Sequence, residues 1–265
     1  MDLVRWTYSG SRLECKLEYY IPQHGKFYFR SNKKNELLFN IELKEYSKNW
    51  NKGFLFSQST PWAYESEQKL ISDSVVIDDK QISFGNNIEI LLDATATGSW
   101  LKIMLSGSDI SASLEYIVPT IHYQESLSKF KQCKETLPEI SFSEARDAFI
   151  YFEPGQRILT AAQRKHIHAL HSYLAADSHI TKVLIDGYTD SSGASVSNLK
   201  ISRQRAELVA TELRKLGVSE NQIEVRAHGS RYPIKSNTTK AGRAKNRRVT
   251  IRLVRDNETV IPAKK

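Results

Sequence analysis

The 265-residue chain has no run of 18 apolar residues to cross a bilayer as a helix, and its two cysteines are too few for a zinc site of their own. Charge divides unevenly. Residues 146–265 hold 22 of the 38 Lys and Arg and 11 of the 30 Asp and Glu, whereas residues 1–145 carry a net −3 and all four tryptophans (Trp6, Trp50, Trp62 and Trp100). A basic half of this kind is expected to meet a polyanion, nucleic acid and a carboxylate-bearing cell wall being the two obvious kinds.

Met1-Asp2 leads straight into a polar segment, with neither a charged n-region nor an apolar h-region. The chain is therefore expected to be either cytoplasmic or a mature form whose signal peptide has been removed. In the first half, Leu13, Cys15, Leu17 and Tyr19 alternate with Glu14, Lys16, Glu18 and Tyr20, the period of a strand with one wet face. Leu37, Phe39, Ile41 and Leu43 repeat the pattern, and Ile88–Leu92 does so more weakly. Trp100–Leu105 and Ala112–Ile117 read as a late antiparallel pair. Turn signals at Pro22–Gly25, Asp78-Asp79, Gly85–Asn87 and Gly107–Asp109 favour an all-β sandwich or partly open, barrel-like domain. Tyr123, Leu127 and Phe130 then fall at helical spacing and predict one short helix carrying Cys133. The domain is drawn at 1–135, with residues 136–145, around Pro138, as a linker. An even number of cysteines permits one disulfide; two buried thiols are the alternative, and composition leans to the disulfide.

The period changes after the linker. Phe149–Phe152 predicts a short strand. Thr160-Ala-Ala-Gln163 is a capping box that opens a helix with the stripe Ile167, Leu170, Leu174. Lys182–Gly187 suits a buried strand. Ala206, Val209, Ala210, Leu213 and Leu216 form a second helical stripe, which Gly217 ends as a left-handed cap. Ile223–Ala227 and Arg248–Val254 are the remaining strands. The order βαβαβ, then a short helix and a last strand, predicts a two-layer α/β sandwich over 146–265, with helices on one face of a mixed sheet. The whole chain is thus expected to be α+β.

The second half carries the motif string Val183-Leu-Ile-Asp-Gly-Tyr-Thr-Asp190, Gly193, Asn198, Ile201-Ser202, Arg205-Ala206, Thr239, Gly242-Arg243-Ala244 and Asn246-Arg247-Arg248-Val249. In this order it resembles the peptidoglycan-binding domain of the OmpA family, over roughly the last 115 residues. The resemblance implies a non-enzymatic wall binder that takes the zwitterionic end of meso-diaminopimelate. Asp190 would accept from the ammonium and Arg205 would fork onto the carboxylate, a role that Lys, as a point charge, fills less well. Thr189, Asn198, Leu199 and Arg247 would line the pocket. Two positions depart from the family pattern: Tyr188 stands where His is usual, and Glu153 where Asp is usual. Both are still expected to contribute to binding.

Each charge has a plainer reading, Asp190 as a loop cap and Arg205 as a solvated helix residue; it is their order within the full motif string that favours binding. Of His166, His168 and His171, only the last two share a helix face, and no third metal ligand is in sequence reach. Asp186, Glu153 and Asp190 do not form a persuasive glycosidase pair. The basic run from Lys235 to Arg255 lacks the interleaved aromatics that nucleic-acid stacking needs, so nucleic acid is not an expected partner. No cofactor or metal is implied.

In the first half, Trp6-Thr-Tyr through Cys15 and Tyr19-Tyr20 resemble the family of periplasmic T-ring proteins of the sodium-driven polar flagellar motor. That resemblance implies a periplasmic protein whose first half joins the flagellar basal body and helps install sodium-driven stator units, while the second half grips peptidoglycan. It also makes a Cys15–Cys133 disulfide the expectation. A general cell-envelope anchor of the OmpA or Pal type is the alternative.

Overall fold

The computed structural model describes residues 5–48, 50–77, 79–107 and 113–258, which form two compact units, one up to Leu137 and one from Pro138. Three expected turn residues and one strand end, Asp78, Ser108-Asp109 and Ala112, lie outside the described residues. Among those described, no helix is long and apolar enough to cross a membrane.

The first unit is rich in sheet. Strands β1 (Trp6–Gly10), β2 (Cys15–Ile21), β3 (Gly25–Ser31), β4 (Leu38–Leu43) and β7 (Gln81–Phe84) make one antiparallel sheet in the order β1-β2-β3-β4-β7. Strands β5 (Trp50–Gln58), β6 (Gln68–Val76), β8 (Trp100–Gly107) and β9 (Leu114–Val118) make a second, in the order β6-β5-β8-β9. The alternation of β2 buries Cys15, Leu17 and Tyr19, and that of β4 buries Phe39, Ile41 and Leu43. These join Phe27, Phe29, Leu101, Ile103 and Leu105 in one core. Trp6 sits among Tyr19, Phe29 and Tyr123, with ring centroids 5.4, 6.0 and 4.9 Å away, and its indole N–H donates to the Pro119 carbonyl at 2.8 Å. A buried Trp needs such an acceptor.

Helix α2 (Gln124–Thr136) buries Leu127, Phe130 and Cys133, and Cys133 is disulfide-bonded to Cys15 with a Cα–Cα distance of 6.0 Å. The bond ties the start of β2 to the last helix of the unit.

One expectation needs correcting. Ile88–Leu92 is not a strand but the start of helix α1 (Ile88–Ala96), which buries Ile88, Leu91, Leu92 and Thr95, the i, i+3, i+4, i+7 set of a helix face. Ile90, inward in a strand reading, is 48% exposed. The segment 136–145, drawn as the linker, contains the boundary between the two units and has local structure of its own. Thr136 ends α2, Leu137 is buried in the first core, and Phe142–Arg146 forms a short helix, α3, with a capping box from Ser141 and Glu144.

In the second unit, β10 (Asp147–Tyr151), β11 (Ile180–Gly187), β12 (Ile223–Ala227) and β13 (Arg248–Arg255) form a sheet of order β10-β13-β11-β12. Strands β11 and β12 are parallel, and β13 runs antiparallel to both β10 and β11. Helices α4 (Ala161–Ala176), α5 (Ser195–Lys215) and the short α6 (Lys240–Asn246) complete the two-layer α/β sandwich. Thr160 caps α4 as its sequence requires, accepting from the Gln163 N–H while the Gln163 side chain accepts from Thr160. Gly217, at φ 99°, closes α5: its N–H reaches the Arg214 carbonyl and that of Val218 reaches Leu213, which satisfies the last carbonyls of the helix. Gly187 has a different reason to be glycine. A Cβ there would run into the Ser202 carbonyl, so only glycine lets α5 lie this close to β11.

Candidate functional site

The site is built where the loop after β11, the end of β10, α5 and the start of β13 converge. The loop is held by its backbone: the Tyr188 N–H donates to the Arg248 carbonyl and the Thr189 N–H to the Gly229 carbonyl, both at 2.8 Å. The Thr189 hydroxyl donates to the Asp190 carbonyl at 2.9 Å, and the Ser191 N–H to Oδ1 of Asn237 at 3.2 Å. From below, Ser202 accepts the Gly229 N–H at 3.0 Å and donates to the Leu199 carbonyl. The buried amide of Asn246 accepts from the Ile234 and Lys235 N–H groups and donates to the Lys235 carbonyl and to Asn237. A fixed loop of this kind lets one carboxylate be aimed without an entropic cost at binding.

That carboxylate is Asp190, 8% exposed. One of its oxygens accepts the Ser192 N–H at 3.0 Å and the other accepts Nη1 of Arg247 at 2.9 Å. Burial by itself pushes the Asp190 carboxyl up, but the Arg247 and Ser192 hydrogen bonds outweigh it and hold the group below its usual value, so it is ionised at neutral pH. Arg247 is anchored in turn by an Nε–H bond to the Phe152 carbonyl at 3.0 Å, and its Nη2 lies 3.9 Å from the Glu153 carboxylate.

Arg205 is only 4% exposed. Its guanidinium lies over the Phe152 ring, 5.1 Å from the centroid, and Nη2 donates to the Glu153 carbonyl at 3.0 Å. Its Nε is buried with no hydrogen-bond partner among the described residues. Burial is the main influence lowering its pKa, the neighbouring Arg247 charge adds to that, and Asp190 opposes both. The guanidinium stays charged regardless, given where Arg titrates. Two buried guanidiniums thus share one buried carboxylate. The surplus positive charge lies on the group with the unmade hydrogen bond, which is the arrangement that accepts a ligand carboxylate. A carboxylate has about four acceptor sites, so Asp190 keeps acceptor capacity for an ammonium beside its Ser192 and Arg247 bonds.

From the sequence, Asp190 and Arg205 were expected side by side, one for the ligand's ammonium and one for its carboxylate, with Arg247 lining the pocket. In the structure Arg247 makes the ion pair with Asp190, while Arg205 rests on Phe152 and the main chain of Glu153. Thr189 and Asn198 are buried at the site, Asn198 reaching the Gly193 carbonyl at 3.5 Å; Leu199 is half exposed, beside Gly229. Glu153 contributes its carbonyl, with its side chain open to solvent.

Tyr188, expected in the pocket, is not part of it. Strand alternation carries on one residue past β11: Gly187 faces α5, so Tyr188 faces the other side of the sheet. There it stacks on His228, with centroids 4.8 Å apart, beneath the Arg248 guanidinium at 3.9 Å. The histidines of α4 do not converge: His168 Nε2 faces Glu212 at 3.3 Å, and no group of three or more metal-ligating side chains occurs among the described residues. Phe152, Gly229 and Asn237 belong to the site although no motif flagged them. Phe152 had only its place at the end of a strand to mark it.

The fold and the charge cluster define a class. Residues 151–247 match the model of the OmpA family. The chain belongs to the family of the MotY N-terminal domain, whose model matches residues 1–138. It is 28% identical over 251 residues to the sodium-type flagellar protein MotY of Vibrio parahaemolyticus, covering 92% of this chain and 84% of that one. A stretch of 70 residues is 49% identical to the peptidoglycan-binding protein ArfA of Mycobacterium tuberculosis, covering 26% of this chain and 22% of the relative. Among solved structures, the peptidoglycan-associated lipoprotein of Burkholderia pseudomallei aligns with a TM-score of 0.38 and 28% identity, over 40% of this chain and 89% of that one.

Proposed function

We propose that the protein is a non-enzymatic periplasmic anchor of the flagellar motor. Its second unit, drawn at 146–265, binds peptidoglycan, and its first, drawn at 1–135, binds the flagellar basal body and the sodium-driven stator units, so that torque is borne by the wall. The observation that carries the wall-binding half is the buried Asp190–Arg247 pair beside Arg205, whose Nε has no partner, in a domain that matches the OmpA family. Asp190 would take the ammonium of a diaminopimelate stem peptide, and Arg205, with Arg247 behind it, the carboxylate. The assignment of the first unit draws on its family and on the flagellar relative that aligns along most of the chain.

The test is co-sedimentation with purified sacculi, alongside swimming of a deletion strain complemented with each variant. Arg205→Ala and Asp190→Ala should stay in the supernatant and swim poorly with filaments intact. A folded Arg205→Ala protein that pellets like wild type would refute the site. Full motility in a deletion strain would instead favour a general envelope anchor.

A further inference from the structure

The Arg205 side chain, buried yet unsatisfied at Nε, also lines the wall of a larger space. A cleft of about 1010 Å³ runs between the loop 155–159, the start of α4 and the flank of α5 from Ser197 to Lys215. Leu159 and Ile201 give it apolar walls. Cations also line it: Arg157, Lys200 and Arg203 are exposed and make no ion pair among the described residues. Its two acids are occupied, Glu207 by Arg214 and Glu212 by Lys215, Arg164 and His168. The cleft therefore keeps unspent positive charge along its rim. Its volume is at the upper end of the range that holds whole small ligands, roughly 300–1,000 Å³, more than one amino-acid end needs.

We propose that this cleft receives the acidic peptide that continues from the zwitterionic end held at Arg205, and that Arg157, Lys200 and Arg203 meet a second carboxylate on it. The inference rests on the wall-binding reading and extends it: the domain reads a stem peptide, not a lone diaminopimelate. Exposed charge contacts are individually weak and salt-sensitive, so two or three of them together should raise affinity by about tenfold at low salt.

The test is calorimetry on the full chain with two probes, free meso-diaminopimelate and the tripeptide L-Ala-D-Glu-meso-diaminopimelate, whose glutamate keeps a free α-carboxylate. The wild type should bind the tripeptide about tenfold more tightly than the free amino acid, and added salt should shrink the gain. The double variant Arg157→Ala/Arg203→Ala should lose that gain while binding free diaminopimelate as the wild type does, and amidating the glutamate carboxylate should have the same effect. Equal affinity of the wild type for both probes, or an undiminished gain in the double variant, would overturn the proposal. Failure of the wild type to bind either probe would be a different pattern, overturning the wall-binding reading and this extension together.

Discussion

Arg205 and Arg247 are both buried, both bond to a carbonyl near the end of β10, and differ in whether the protein satisfies them. Replacing Arg247 by Ala removes the ion-pair partner of a carboxylate that is 8% exposed, together with the Nε bond to Phe152. Breaking a buried pair from one side costs up to about 3–5 kcal/mol, because the remaining charge loses its hydrogen-bonded counter-charge, and here only the Arg205 charge stays near Asp190. Replacing Arg205 by Ala loses one bond to a carbonyl, about 1.5–3 kcal/mol, and its contact with the Phe152 ring, about 0.5–1 kcal/mol. Against this, it removes a buried, unpartnered Nε, worth about 1–3 kcal/mol, and a like charge beside Arg247. These contributions nearly cancel. Arg205→Ala should therefore change stability by less than about 1.5 kcal/mol while abolishing ligand binding, whereas Arg247→Ala should lose both. The placement of the tryptophans makes the assay clean. All four lie in the first unit, so denaturant melts followed by fluorescence report that unit, and melts followed by far-UV circular dichroism report both. Arg247→Ala should bring forward a dichroism transition and leave the fluorescence midpoint alone. If Arg205→Ala destabilises the second unit as much as Arg247→Ala, Arg205 is an ordinary structural residue and the reasoning fails.

Three other outcomes follow from the same structure. Reducing the Cys15–Cys133 bond, which spans a sequence separation of 118, should destabilise the first unit by up to about 4.7 kcal/mol, seen as a lower fluorescence midpoint with the second unit's transition unmoved. Because the folded pKa of Asp190 lies below its unfolded value of about 3.9, the unfolded chain binds the proton first as pH falls. The stability that Asp190 contributes should thus be complete above about pH 5 and lost as pH drops through the folded value; melts from pH 6 to pH 2.5 on wild type and Asp190→Asn should converge at the acid end. Gly187→Ala should destabilise the second unit by about 1–3 kcal/mol or more, since the added methyl meets the Ser202 carbonyl, and a wild-type melt would show that α5 does not lie as close to β11 as described.

Local rules made much of this protein legible from its residues. The Thr160–Gln163 capping box, the glycine end of α5 and the alternation in β2 and β4 each depend on neighbours a few residues apart, and each stands in the structure as the chain implies. Ile88–Leu92 was ambiguous for a geometric reason: positions 88 and 92 lie inward both at period two and at i, i+4. Only the surroundings decide whether Ile90 or Leu91 is buried. At the site, the ordered motif string brought Asp190, Asn198, Arg205 and Arg247 forward together, but order along a chain carries no distances. That Arg247, 57 residues away, takes the Asp190 carboxylate follows from β13 running antiparallel beside β11, which delivers its first residues to the Asp190 loop. That Tyr188 turns from the pocket follows from glycine at 187 lying against α5. And that Arg205 keeps an unmade hydrogen bond follows from how closely helix, strand end and loop converge, because desolvation is a property of the packed site and has no counterpart in the sequence of residues that forms it.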